Sequence, residues 1–278
     1  MRLAISNIAW DTSEDHEIAK LLNRYEVDAI DVAPGKYFPE PGKAKDSEIV
    51  FVKDWWADRG IEITGMQALL FGTSGLNVFG TPFVQEAMLQ HLSSICRIAA
   101  GLGAMRLVFG SPKNRDRTGL IDHEAMGVAV DFFRRLGVIA QTYGVVICLE
   151  PNPTCYGANF MTTTTETASV VEQVDHPAIR MQLDTGAIAI NNEDSEVVLQ
   201  NYASLIGHIH ASEPELLPLG DGYTDHAKVY SSLINYLPKH LITIEMLATQ
   251  HEPQIISIER ALTSAIRYYR NNGVGSKL

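Results

Sequence analysis

The chain is poor in cysteine. Cys96, Cys148 and Cys155 are its three thiols, too few for a disulfide framework, so reduced thiols in a cytoplasmic protein are the expectation. Basic residues are also scarce: 22 Lys and Arg face 33 Asp and Glu, a net charge of −11. Such a surface repels a phosphate backbone, which argues against nucleic acid as a partner. No apolar run reaches the roughly 20 residues of a membrane-spanning helix. The N-terminus lacks the basic stretch and apolar core of a signal peptide, so no membrane association is expected. A glycine-rich phosphate loop is missing as well. The first apolar run passes into "NIAWDTSED" (Asn7 to Asp15), where a doubly wound nucleotide-binding sheet would more often place glycines.

What is present is a regular alternation. Eight apolar runs read as strands: Leu3 to Trp10, Val27 to Ala33, Ile61 to Phe71, Ala104 to Ser111, Val145 to Pro153, Ile179 to Ala187, Leu205 to Ser212 and Leu241 to Thr249. A helical pattern follows each, the last near Ile255 to Tyr269. Thr12 or Ser13 is the expected cap of the first helix, with Glu14 and Asp15 suited to its start. Gly101 and Gly103 are expected to stop the helix before the fourth strand. Strands that alternate with helices must pair in parallel, because only a crossover returns the chain. Eight units of about 35 residues predict an α/β fold, a single (β/α)8 TIM barrel forming one domain over residues 1–278.

In such a barrel the chemistry lies at the C-terminal ends of the strands. The run "VVICLEPNP" (Val145 to Pro153) ends an apolar strand on Glu150, and a buried carboxylate is costly unless paired or bound to a metal. The next three strands end similarly: Asp184 in "QLDTGA", His210 in "HIHASEP" and Glu245 in "TIEMLAT". The separations are 34, 26 and 35 residues, each close to one βα unit. Leu149, Leu183, Ile209 and Ile244 precede the four, so strand alternation turns the apolar neighbours to the helices and the polar four to the axis. Three carboxylates and one imidazole would repel and lose hydration without a cation. Oxygen ligands with a single His favour one divalent metal ion, Mn²⁺, Mg²⁺, Co²⁺ or Zn²⁺.

At these residues the chain resembles the xylose isomerase-like TIM barrels, and within them the sugar phosphate isomerase/epimerase group of ketose 3-epimerases, hydroxypyruvate isomerases and inosose dehydratases. The likeness is most specific from "CLEPNP" through "HIHASEPELLPLGDG" to "ITIEM". It implies that Glu150, Asp184, His210 and Glu245 hold the metal and that Glu150 and Glu245 also move the proton. It implies a small carbohydrate substrate and chemistry through a metal-stabilised enediolate. Three substrate-contacting positions depart from the epimerase pattern: Ala187 stands for a His, Leu216 for an Arg and Tyr156 for a Glu. The resemblance therefore covers the fold and the cradle, and stops short of a free ketohexose.

Other polar residues are candidate substrate contacts. Asn152 lies two residues past Glu150, and Gln67 interrupts the apolar third strand. Lys113, Arg115 and Arg117 make "SPKNRDRTG" (Ser111 to Gly119) the most basic loop of an acidic chain, suited to a substrate phosphate or carboxylate. Glu213 and Asp221 lie in the loop after His210. His208 shares the face of His210 one layer deeper and reads as a core or outer-sphere histidine. Asp31 near Lys36 reads as a plain ion pair. Trp10, Phe71 and Phe79 could wall the pocket or cover the core. Two other activities compete for the same strand ends, and the second is barely separable from isomerisation by sequence. A phosphodiesterase would need more histidines than Gln67, Ser111 and Ala187 supply. A dehydratase of an inosose-like ketone would use the same metal and differ only in expelling a hydroxyl. A non-catalytic sugar-binding barrel is the remaining alternative. The oligomeric state, homo-oligomer included, is left open.

Overall fold

The computed structural model describes residues 1–249 and 251–270. Eight parallel strands close into a barrel in sequence order, and the last pairs back on the first. They are β1 (Leu3–Ser6), β2 (Ala29–Val32), β3 (Glu62–Met66), β4 (Arg106–Phe109), β5 (Val146–Leu149), β6 (Ile179–Asp184), β7 (Ile206–Ser212) and β8 (Ile242–Glu245). The α-helices among the described residues are α1 (Asp15–Arg24), α2 (Pro34–Tyr37), α3 (Asp46–Ala57), α4 (Pro82–Leu102), α5 (Asp122–Thr142), α6 (Thr164–Val174), α7 (Thr185–Ile190), α8 (Ser195–Tyr202), α9 (His226–Tyr236) and α10 (Gln254–Tyr269). The expected (β/α)8 TIM barrel is the observed fold.

Its strands are apolar along their length because both faces are covered, one by the barrel interior and one by the helices. All four residues of β1, β2 and β8 are buried. Leu149, Leu183, Ile209 and Ile244 are at most 1% exposed and belong to the apolar core. Among the described residues, no helix is long and apolar enough to cross a membrane.

The strands are shorter than the apolar runs, because polar turns begin before the apolar residues end. β1 stops at Ser6, whose side chain accepts a hydrogen bond from Ile8 N and opens a 3-10 turn over Asn7–Ala9. The next turn is capped by Asp11, not by Thr12 or Ser13: its carboxylate accepts from Ser13 N at 2.9 Å. Asp15 begins α1 and turns inward, accepting from Trp10 Nε1 at 2.7 Å and Tyr37 Oη at 2.8 Å. Gly101 does not stop α4, which runs on to Leu102. Gly103 ends it at φ +86°, a left-handed conformation that costs glycine little. Thr163 caps α6 by accepting from Glu166 N. A register shift between Met181 and Gln182 sets Asp184 beside His210 on the neighbouring strand, and Ser212 pairs with Glu245.

Candidate metal centre

Glu150 follows the last residue of β5, Asp184 ends β6, His210 lies within β7 and Glu245 ends β8. The barrel brings the four together: each offers one ligand atom within 4.8 Å of the others. His210 Nδ1 is 3.2 Å from Glu245 Oε2 and 3.5 Å from Glu150 Oε1. His210 is fully buried, and the three carboxylates keep only 8–9% of their surface.

Each carboxylate is aimed by a neighbour. Asp184 Oδ1 accepts from Ala187 N at 2.6 Å, so the same residue ends a strand and caps α7. Its Oδ2 accepts from Ser212 Oγ at 2.7 Å, and that hydroxyl also accepts from Gly186 N at 2.9 Å. Gln67 Nε2 donates to Glu245 Oε1 at 2.6 Å. Asn152 Nδ2 donates to Glu150 Oε2 at 3.1 Å. A Cβ on Gly110 would fall well inside contact distance of that same Oε2, so glycine after β4 is what leaves the carboxylate its place.

The charges explain what such a cluster requires. Burial, with Glu245 and Glu150 as like-charged neighbours, pushes the Asp184 carboxyl up to about 8 against the pull of His210 and Ser212. Burial alone would lower His210, but Glu245 and Glu150 outweigh it and hold the imidazole well above its ordinary value. Burial likewise opposes ionisation of Glu245, yet His210 and the bonds from His210 and Gln67 keep it below the usual carboxylate range. Protons therefore substitute for positive charge in this cluster. Three oxygen donors and one imidazole in this space fit a divalent cation of hard or borderline character.

One layer deeper, His208 Nε2 meets Asp31 Oδ2 at 2.6 Å, both buried. Asp31 also accepts from Thr64 Oγ1 at 3.0 Å, and a Cβ on Gly65 would come within 2.5 Å of its carboxylate. The expected ion pair of Asp31 with Lys36 does not form. Lys36 Nζ donates instead to the carbonyls of Asn7 and Trp10, because Asp31 points into the barrel and Lys36 lies on the rim.

Among the proposed substrate contacts, Gln67 and Asn152 touch the cradle and Lys113 is exposed on the rim. Arg115 is fully buried and donates through Nη1 to Glu150 O at 2.7 Å. Burial pushes its guanidinium down to about 10, against the attraction of Glu150 and Glu166. Arg117 turns away to Asn159 O and Asp122. Glu213 turns into its own loop. It accepts from Gly220 N at 2.9 Å, Thr224 N at 3.0 Å and His226 Nε2 at 3.0 Å, and is 2% exposed. Burial would raise its carboxyl, but these donors hold it down at about 2. A loop anchor of this kind has no carboxylate oxygen free for substrate. Asp221 pairs with Arg260 at the surface. Tyr156 Oη accepts from Glu215 N at 2.7 Å and so ties the loop after β5 to the loop after β7. Trp10 is core, Phe79 packs edge-on to Phe160 at 5.0 Å, and Phe71 is 84% exposed. Sequence reasoning missed Ser212 and Gly110. The signal for Ser212 was its spacing, two residues past His210 on the same face of β7.

A family model described as a xylose isomerase-like TIM barrel matches residues 19–271. No curated protein matches the chain. Among solved structures, D-psicose 3-epimerase from Clostridium cellulolyticum H10 superposes with a TM-score of 0.81 at 18% identity, over 97% of this chain and 99% of that one. D-Allulose 3-epimerase from Methylomonas sp. gives 0.78 at 18% identity, over 97% of each. The 3-keto-D-glucoside 4-epimerase of E. coli gives 0.77 at 17% identity, over 95% of this chain and 98% of that one. At these identities the likeness speaks for the fold. The family match spans nearly the whole barrel, and the chain belongs to the xylose isomerase-like TIM-barrel family.

Proposed function

We propose that this protein is a divalent-metal-dependent sugar or sugar phosphate isomerase or epimerase. The observation that carries the reading is the convergence of Glu150, Asp184, His210 and Glu245 at one point of the barrel mouth. The epimerase activities of proteins with the same fold support it.

The four residues would hold one Mn²⁺, Mg²⁺, Co²⁺ or Zn²⁺. A divalent cation there supplies a Lewis acid that polarises a substrate carbonyl and stabilises the negative charge left when the adjacent carbon loses its proton. The chain does the rest. Glu150 and Glu245 come from strands three positions apart on the ring, so one can take the proton and the other can return it. Return to the opposite face of the same carbon gives an epimer; return to the former carbonyl carbon, with the hydroxyl proton passing from the adjacent oxygen to the former carbonyl oxygen, gives an isomer. Gln67 fixes the rotamer of Glu245, and Asn152 that of Glu150. Asp184 is held at both oxygens and serves as a ligand only, not as a base.

The test is solvent exchange. Protein loaded with Mn²⁺ is incubated in heavy water with a panel of free and phosphorylated ketoses, and proton spectra are followed. Deuterium should enter the carbon beside the carbonyl, and Glu245→Gln should abolish conversion to the epimer or isomer while the cation stays bound. Absence of exchange across the panel by fully loaded protein would remove the enzymatic reading. Growth of ultraviolet absorbance from an enone or enol would reassign the reaction to dehydration.

A further inference from the structure

Arg115 is the one buried cation of the loop after β4, and its surroundings do not pair it in the ordinary way. The loop is built firmly around it. Asn114 Oδ1 accepts from Ser111 Oγ at 2.6 Å, Asn114 Nδ2 donates to Leu76 O at 2.7 Å, and Val78 N donates to Asn114 O at 2.8 Å. The guanidinium is 0% exposed, yet among the described residues only Nη1 has a partner, the main-chain carbonyl of Glu150. Nε and Nη2 have none. Among the described residues it makes no salt bridge. The carbonyl it holds belongs to a residue of the cradle, so the carboxylate of Glu150 and those beside it are the charge that Arg115 answers.

Buried charges persist when an opposite charge is fixed nearby. Three carboxylates, one divalent cation and one guanidinium sum to zero. The bond goes to the carbonyl of Glu150 and not to its carboxylate, so Arg115 adds charge without taking a ligand oxygen from the cation. We infer that Arg115 acts through Glu150 as the fixed counter-charge of the cradle, setting how tightly a divalent cation is held. Its role is electrostatic and internal, distinct from a grip on substrate.

This rests on the cradle binding a cation, and the experiment separates the two claims. Mn²⁺ affinity is measured calorimetrically at pH 8.0 for wild type, Arg115→Gln, Arg115→Met and Arg115→Lys, with thermal melts of each protein with and without Mn²⁺. Removing a positive charge next to the site should tighten Mn²⁺ binding at least tenfold in the Gln and Met variants. Lysine should fall between wild type and the neutral variants, because burial lowers its charge where the guanidinium keeps its own. Mn²⁺ should also raise the melting temperature of the neutral variants more than that of wild type. A merely structural residue would give the reverse, with unchanged or weaker affinity in all three variants, and that result overturns the inference. Failure of both neutral variants to fold even in excess Mn²⁺ overturns it too, because Arg115 would then be a packing element. If wild type itself binds no Mn²⁺, the metal reading fails first and this inference falls with it.

Discussion

A cation that enters the cradle has to displace the protons that stand in for it. Asp184 is pushed up to about 8 by burial and by Glu245 and Glu150. A group ionising there is about nine-tenths protonated at pH 7. His210, held well above its ordinary value by Glu245 and Glu150 despite burial, carries a second proton on an atom that a cation would need. Cation binding at pH 7 should therefore release between about one and two protons per chain. Each displaced proton weakens apparent affinity about tenfold per pH unit, so Mn²⁺ should bind roughly 10- to 100-fold more weakly at pH 6 than at pH 7. Calorimetry in two buffers of different ionisation enthalpy reads the proton count directly, and a pH series reads the slope. Affinity that is flat from pH 6 to 8, with heats independent of buffer, would refute the electrostatic picture of the cluster.

The same shifts fix the sign of the stability profile. Asp184 and His210 both have raised values in the folded chain, so the folded state binds more protons than the unfolded one. The cation-free protein should lose stability as pH climbs from about 6, where the depressed carboxyls of Glu213 and Glu245 are ionised in both states, through about 8, with a melting temperature roughly 5 °C or more lower at pH 9 than at pH 6. Saturating Mn²⁺ should flatten that decline, as a fluorescence melt at each pH would show. Ser212→Ala removes the donor to Asp184 Oδ2 and should weaken Mn²⁺ binding about 10- to 100-fold with the fold intact; an unchanged dissociation constant would count against Ser212 as an orienting group. Gly110→Ala places a methyl where Glu150 Oε2 lies and should cost at least as much affinity. Glu213→Ala strands a buried His226 and two loop amides, so urea unfolding should show a loss of about 3 kcal/mol. Its Mn²⁺ affinity should stay near wild type.

The parts of the molecule legible in the sequence were those governed by local period. Each apolar run produced a strand, and Glu150, Asp184, His210 and Glu245 were visible because one polar residue closed each of four successive runs at βα spacing. Strand ends were overestimated where a turn residue intervened, as Ser6 does after β1. Contacts across the barrel were not legible. Asp31 reaches His208, a residue 177 positions away, because β2 and β7 face one another through the interior. Neither was the direction of a loop side chain. Glu213 and Arg115 both sit just past strands as charged residues, yet one folds back on its own loop and the other is swallowed behind Glu150. Gly110 illustrates the remaining gap: its value lies in the volume it leaves empty, and a sequence does not display empty volume.

The proposed chemistry requires one cation per chain at Glu150, Asp184, His210 and Glu245. Equilibrium dialysis against Mn²⁺ followed by elemental analysis, on wild type and on the Asp184→Ala, His210→Ala double variant, tests it most directly. About one Mn²⁺ per folded wild-type chain and none in the double variant is the expected result. No retained Mn²⁺ in wild type, or equal retention in both proteins, would contradict it.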